Sequence, residues 1–152
     1  MSLTEQLRSD MTTAMRDGDT TRRDTLRMAI SAAQMAAKDK RAPLTDEEAI
    51  EVIGREVKRR RESILAYEGA GRADLAAQEK AEIDILAAYL PEQLDEAEVR
   101  TLVTEAVVAT GATSTRDMGR VMGHLMPKVK GRADGKVVSA LVNEELARAA
   151  GA

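Results

Sequence analysis

The chain has 152 residues, a net charge of −3, no cysteine, phenylalanine or tryptophan, and only two tyrosines. The lack of cysteine excludes disulfides, thiolate metal sites and cysteine nucleophiles, and the acidic balance argues against a protein that coats nucleic acid without selectivity. Because its apolar residues are almost all Ala, Leu, Val, Ile and Met, the chain is predicted to be all-α.

Four helices are predicted in the first 92 residues. Capping-box patterns, in which a Ser or Thr is followed three residues later by a Glu, begin the first and third helices at Ser2 and Thr45. Apolar residues then recur at helical spacing until turns that contain Gly or Pro interrupt them. The predicted spans are Ser2 to Asp17, Thr21 to Lys40, Thr45 to Tyr67 and Leu75 to Leu90.

A domain boundary is predicted at Pro91. Proline interrupts an ideal helix, and Asp95-x-x-Glu98 supplies a new helix cap a few residues later. The chain is therefore divided into an N-terminal domain of about four helices, residues 1–92, and a small C-terminal three-helix domain, residues 93–152. In this second domain, the first helix is expected to end at Gly111, the second to end at Pro127 and the third to be capped by Asp134.

A cationic loop joins the last two predicted helices. From Arg116 to Lys136 there are six Lys or Arg residues and two acids, an excess that favours a polyanionic partner. Backbone N–H groups at the start of the last helix also attract phosphate. The alternative interpretation is a solvated surface loop. The candidate nucleic-acid-binding residues are Lys128, Lys130, Arg132, Lys136, Arg116 and Arg120.

A second, predicted basic patch lies in the third helix. It is a run of basic residues. Consecutive residues are rotated by about 100° around a helix, so these side chains cannot all lie on the same side of the helix, and some of them must approach the core. Phosphate binding is one interpretation. The other is local pairing, of Arg59 with Glu62 or of Arg55 with Glu51. The patch consists of Arg55, Lys58, Arg59, Arg60 and Arg61.

The helix before the cationic loop carries three further features. Gly119-x-x-x-Gly123 predicts close packing of another helix. His124 is the only histidine, and one histidine on a helix is more typical of a surface position than of a general base. Without a nucleophile beside a base or a metal-binding cluster, no catalytic residue, cofactor or metal is predicted. The methionines of this helix, which form either core or a docking face, are Met118, Met122 and Met126.

Several segments resemble the GatB/YqeY family. Residues 119–146 are similar to the tail of the B subunit of tRNA-dependent amidotransferases, and the strings YLPEQL (residues 89–94) and MPKVKG (residues 126–131) extend the likeness to small stand-alone YqeY-like proteins over nearly the whole chain. The resemblance implies a module that contacts tRNA. It implies shared ancestry with a glutamine-dependent carbon–nitrogen ligase but not ligase chemistry, which belongs to other subunits or to the body of the B subunit.

The functional hypothesis is a non-catalytic, tRNA-associated binding module. It is expected to recognise folded RNA by shape, because the chain lacks the aromatic platforms on which unstacked bases stack. One alternative is an adaptor that docks on an amidotransferase or an aminoacyl-tRNA synthetase. An independent amide-transferring enzyme is the third alternative and ranks last. A cytoplasmic location without membrane contact is expected, because no signal-peptide pattern begins the chain and no apolar run approaches about 18 residues.

Overall fold

The computed structural model describes residues 1–151, which form seven α-helices, one 3₁₀ turn and no β-strand. The predicted all-α class is therefore confirmed. The 3₁₀ turn, Thr115–Asp117, leads directly into the sixth helix. The helices are α1 Leu3–Asp17, α2 Thr20–Lys40, α3 Asp46–Gly69, α4 Ala73–Ala87, α5 Glu96–Thr110, α6 Met118–Val129 and α7 Gly135–Ala150.

Capping boxes begin α1, α3 and α5, at the predicted positions. At α3, Thr45 Oγ1 accepts the N–H of Glu48 at 3.2 Å, and the Glu48 carboxylate accepts the N–H of Thr45 at 2.8 Å. The side-chain hydrogen bond from Lys40 and these cap contacts lower the pKa of Glu48. Such caps satisfy backbone donors that have no partner within the helix, which is why the helix starts could be read from the sequence.

The chain folds into two compact units, one up to Pro91 that contains α1–α4 and one from Glu92 that contains α5–α7. Each has its own set of buried aliphatic side chains, so each contributes its own hydrophobic stabilisation. The first core includes Leu7, Leu26, Ile53, Val57 and Leu86. The second includes Val99, Val103, Val121, Leu125, Val138, Val142 and Leu146.

The expected stop at Pro127 is wrong, because α6 continues through it to Val129. Val129 is only 1% exposed and packs in the second core together with Leu125. Burial of Val129 favours one further turn, and the Lys130 N–H closes that turn on the Met126 carbonyl at 2.9 Å. The apolar contact thus outweighs the hydrogen bond that proline cannot make.

The prediction that Gly119 and Gly123 admit a neighbouring helix is also wrong. Both glycines are exposed, and a Cβ added at either would meet nothing within 4 Å beyond the adjacent backbone of α6 itself, among the described residues. The buried face of α6 is instead formed by Val121, Leu125 and Val129. At 100° per residue the two glycines lie away from that face, so the packing of α6 does not require them.

Candidate nucleic-acid interface

The connection between α6 and α7 is a tight turn. Gly131 has a φ of 74°, a left-handed conformation that suits glycine. The N–H groups of Arg132 and Ala133 both donate to the carbonyl of Val129, at 2.9 and 3.1 Å. Asp134 then caps α7 by accepting the Lys136 N–H at 2.9 Å. The ends of the turn are therefore held by the helices that it joins.

The chain segment that precedes α5 clamps this turn from outside. The Gln93 side-chain amide donates to the Gly131 carbonyl at 2.8 Å, and the Leu94 N–H donates to the Arg132 carbonyl at 2.8 Å. Arg132 Nε donates in return to the Glu92 carbonyl at 3.1 Å. The YLPEQL and MPKVKG strings, which carry the family resemblance, thus meet in space. We call the segment from Lys128 to Lys136, held in this way, the clamped loop.

Residues 92–94 were not expected to belong to the site. In the sequence they appeared only as a linker at a domain boundary, and the bonds join positions 38 to 40 residues apart. One signal was available, since Gln93 is a polar residue inside one of the two family-specific strings. Their role is to order the backbone of the loop.

The clamped loop exposes lysines and secures its arginine. Lys128, Lys130 and Lys136 are exposed, whereas Arg132 is half-buried. The Arg132 guanidinium also donates to the Lys128 carbonyl at 3.1 Å. Because both of its recorded acceptors are neutral carbonyls, Arg132 is held in place while its charge is kept. With Asp134 as the one acid, four cations give the loop a net charge of about +3.

The other two candidates lie at the opposite end of α6. Arg116 stands twelve residues before Lys128, about 18 Å along a helical path. Arg120 pairs with Asp117 at 3.0 Å, and hydrogen bonds from the Thr113 and Ser114 N–H groups lower the pKa of that aspartate. Arg116 is exposed. The six predicted residues therefore form two separate groups, of which the clamped loop is the larger.

In the second basic patch, Arg60 requires a correction. It is only 4% exposed, and its guanidinium contacts Glu56 at 3.0 Å and Glu82 at 3.1 Å. Arg59 lies 3.7 Å from Glu56, which is a local pairing along the helix. A buried carboxylate attracts both cations, since unpaired burial is costly. The patch that faces solvent is therefore reduced to Arg55, Arg59 and Arg61, with Lys58 half-buried.

Two other expectations concern the helix of the lone histidine. His124 is exposed on α6. Met118 and Met122 are partly buried and pack against the second core, while Met126 is 37% exposed. The methionine face of α6 is thus mainly core, one of the two readings that the sequence allowed.

A cavity lies in the first unit, between α1 and α2. Its volume is about 390 Å³, and its floor contains the buried side chains of Leu7, Ile30 and Ala33. Its one carboxylate, Glu5, accepts the N–H of Ser2 at 2.7 Å in the cap of α1. Within residues 1–151, no group of three or more His, Asp or Glu side chains is arranged to hold a metal ion.

These features define a small all-α protein whose most structured cationic surface is a clamped loop. The profile of the family described as Yqey-like protein matches residues 4–146, and the chain belongs to that family. A relative in Pyrenophora tritici-repentis, "Altered inheritance of mitochondria protein 41, mitochondrial", is 33% identical over 143 residues, which cover 91% of this chain and 78% of the relative. The resemblance to stand-alone YqeY-like proteins is confirmed.

The location of the protein stays a prediction. The relative's name assigns that protein to mitochondria, which neither supports nor excludes the expected cytoplasmic location of this chain. In the part of the chain that the structure describes, every helix is too short or too polar to cross a bilayer.

Proposed function

We propose that this protein is a non-catalytic RNA-binding module that associates with tRNA through the clamped loop. The observation that carries the proposal is the clamp itself. Gln93, Leu94 and Arg132 hold the loop backbone by hydrogen bonds of 2.8 to 3.1 Å, while three lysines on it remain exposed. A surface loop that served only solubility would not need such order.

The chemistry of the loop suits phosphate. Lysine ammonium groups contact phosphate oxygens as point charges, and the start of α7, at Gly135, adds the positive end of a helix dipole. About four contacts predict weak binding, with a Kd on the order of 10⁻⁴ to 10⁻⁶ M at physiological salt.

Folded RNA suits this surface better than a single strand. Base stacking needs exposed aromatic rings, and the chain has no Phe or Trp. Tyr89 is buried, and its hydroxyl donates to Asp10. Recognition would therefore rest on the spacing of phosphates in a folded backbone.

A charge-matched pair of variants tests the proposal. The first replaces Lys128, Lys130 and Lys136 by Ala and keeps Arg132, which secures the loop. The control replaces Arg8, Arg16 and Lys38, three exposed cations of the first unit, by Ala. We expect the loop variant to lose about tenfold or more in tRNA affinity and the control to retain it. Equal affinity of the two variants would exclude the loop.

The dependence of binding on salt gives an independent measurement. Four phosphate contacts predict a slope of log K against log salt near −3, since each contact contributes roughly −0.7 to −0.9. Folded tRNA should also displace a labelled probe better than an unstructured strand of equal length. A flat salt dependence would contradict the proposal.

A second candidate function is the protein adaptor that docks on an amidotransferase or an aminoacyl-tRNA synthetase. One observation favours an adaptor role: large apolar side chains are exposed on α2. Exposed apolar side chains are typical of surfaces that bind proteins, and they do not bind RNA phosphates.

A further inference from the structure

The cavity of the first unit is large enough for a small molecule. Its volume is about 390 Å³, it is partly open to solvent, and it lies between α1, α2 and the chain that joins α2 to α3. Pockets that bind small molecules have volumes of about 300–1,000 Å³. The floor is apolar, because Leu7, Ile30 and Ala33 line it and are at most 9% exposed. Pro43 and Leu44 add an apolar wall. An apolar group of a ligand would therefore be removed from water here.

Two opposite charges lie on the α1 side of the cavity. Among the described residues, Glu5 and Arg8 are the only charged ones that line it. They are three positions apart on α1, so their side chains share one side of the helix with Cβ atoms about 5–6 Å apart. Within residues 1–151, no ion pair joins Glu5 to Arg8. The cavity therefore presents a carboxylate and a guanidinium close together beside an apolar floor.

The cap of α1 fixes the Glu5 carboxylate. Its Oε2 accepts the Ser2 N–H at 2.7 Å, and Ser2 Oγ accepts the Glu5 N–H at 3.2 Å. Hydrogen bonds from Ser2 lower the pKa of Glu5, which keeps the carboxylate ionised at neutral pH. A carboxylate accepts several hydrogen bonds, so Oε1 remains able to accept from an ammonium group. The exposed guanidinium of Arg8 supplies the N–H donors that match a second carboxylate.

The charges around the cavity are balanced in sign. The end of α2, its connection to α3 and the start of α3 carry three cations and four acids, which are Lys38, Lys40, Arg41, Asp39, Asp46, Glu47 and Glu48. Lys40 pairs with Glu48 at 2.6 Å. Asp46 accepts the Leu3 N–H at 2.9 Å. Neither sign dominates, so the surroundings favour neither a purely anionic nor a purely cationic ligand.

We propose that this cavity binds a free apolar α-amino acid, with its side chain on the floor, its ammonium group at Glu5 and its carboxylate at Arg8. A ligand with a single charge would leave one of the two protein groups without a partner. Because Glu5 and Arg8 are less than one helical turn apart, the two charges of the ligand must also be close together. They are close on the α-carbon of a free amino acid but not at the two ends of a peptide. The inference goes beyond the proposed RNA binding and does not depend on it.

Leucine and three analogues test the class of ligand. Isocaproate is leucine without its ammonium group, isoamylamine is leucine without its carboxylate, and glycine lacks the apolar side chain. In an NMR titration of the full chain, we expect leucine to shift the signals of Leu7, Ile30 and Ala33 and to leave those of Leu125 and Leu146, in the second core, in place. Each analogue should bind at least about tenfold more weakly than leucine. Equal binding of leucine and any analogue, or no shift with leucine up to its solubility, would overturn the proposal.

Variants of α1 test the partners of the two ligand charges. Glu5→Gln keeps the capping box, which accepts Gln at this position, and Arg8→Gln changes an exposed side chain. Each should weaken leucine binding about tenfold. In Glu5→Gln, leucine should also lose its advantage over isocaproate, a result that a purely structural effect would not give. Arg16→Gln, at an exposed position of α1 outside the cavity, is the matched control and should bind leucine as the wild type does. A leucine advantage that persisted in Glu5→Gln would overturn the proposal.

Discussion

Arg60 in α3 and Arg132 in the clamped loop come from two sequence segments of similar basic character, but the structure uses them differently. Arg60 contacts the carboxylates of Glu56 and Glu82, so its charge is neutralised and buried. Arg132 donates to the carbonyls of Glu92 and Lys128, which fix its position and leave its charge in place. The role of an arginine in such a segment therefore depends on whether the fold places carboxylates or neutral carbonyls beside it.

The largest expected effect comes from removing Arg60. Arg60→Ala leaves the buried Glu56 with only the more distant Arg59, at 3.7 Å, and removes the cation that contacts Glu82. It should lower the free energy of unfolding by about 3–5 kcal/mol, measured by chemical denaturation. Arg132→Ala should cost only about 1 kcal/mol, because it breaks hydrogen bonds to neutral carbonyls. Similar losses for the two variants would remove the distinction between them. Arg61→Ala, at an exposed site, is the control and should be close to neutral.

The next effect tests whether the two regions depend on separate cores. Leu125 is 0% exposed in the second core, so Leu125→Ala should destabilise by about 2–5 kcal/mol. If the units are separately stable domains, hydrogen exchange should accelerate in α5–α7 and stay slow in α1–α4. Uniform acceleration across both units would show a single cooperative domain instead.

A smaller effect is expected from opening the clamp. Gln93→Ala removes the donor to the Gly131 carbonyl and should cost about 1–2 kcal/mol. It should also weaken tRNA binding, although no cation is lost, because the lysines would be presented on a mobile backbone. Gln78→Ala, at an exposed site on α4, serves as the control in the same binding assay. Unchanged affinity of Gln93→Ala would show that loop order is irrelevant to binding.

The smallest effect concerns the acids around Arg60. Burial, and then the charge of Glu82, raise the pKa of Glu79 above its ordinary value of 4.5. The folded state therefore holds the Glu79 proton more tightly than the unfolded state, so stability is lost as pH rises through the raised pKa. Glu79→Gln should give a slightly higher melting temperature than the wild type at pH 7. The difference should vanish well below pH 4.5, where Glu79 is protonated in both the folded and the unfolded state; an unchanged difference there would contradict this assignment.

Local sequence patterns determined the helices of this protein and much of its core. The caps at Ser2, Thr45 and Asp95 were correct because a capping box involves residues only three positions apart. Apolar residues at helical spacing likewise predicted buried positions such as Leu125 and Leu146. Membership of the YqeY-like family could also be read from short strings of residues.

The tertiary structure alone decided which polar side chains meet. The contact of Arg60 with Glu82 spans 22 residues, and that of Gln93 with Gly131 spans 38. Pattern and propensity contain no information about such distances. The same limit explains two wrong expectations. At Gly119 and Gly123 the helical spacing was clear, but no other helix within residues 1–151 packs against the two glycines. At Pro127 the burial of Val129 extended the helix. The apolar periodicity of a sequence describes a single helix, whereas the hydrogen-bond acceptors and the core contacts of that helix are contributed by several other elements.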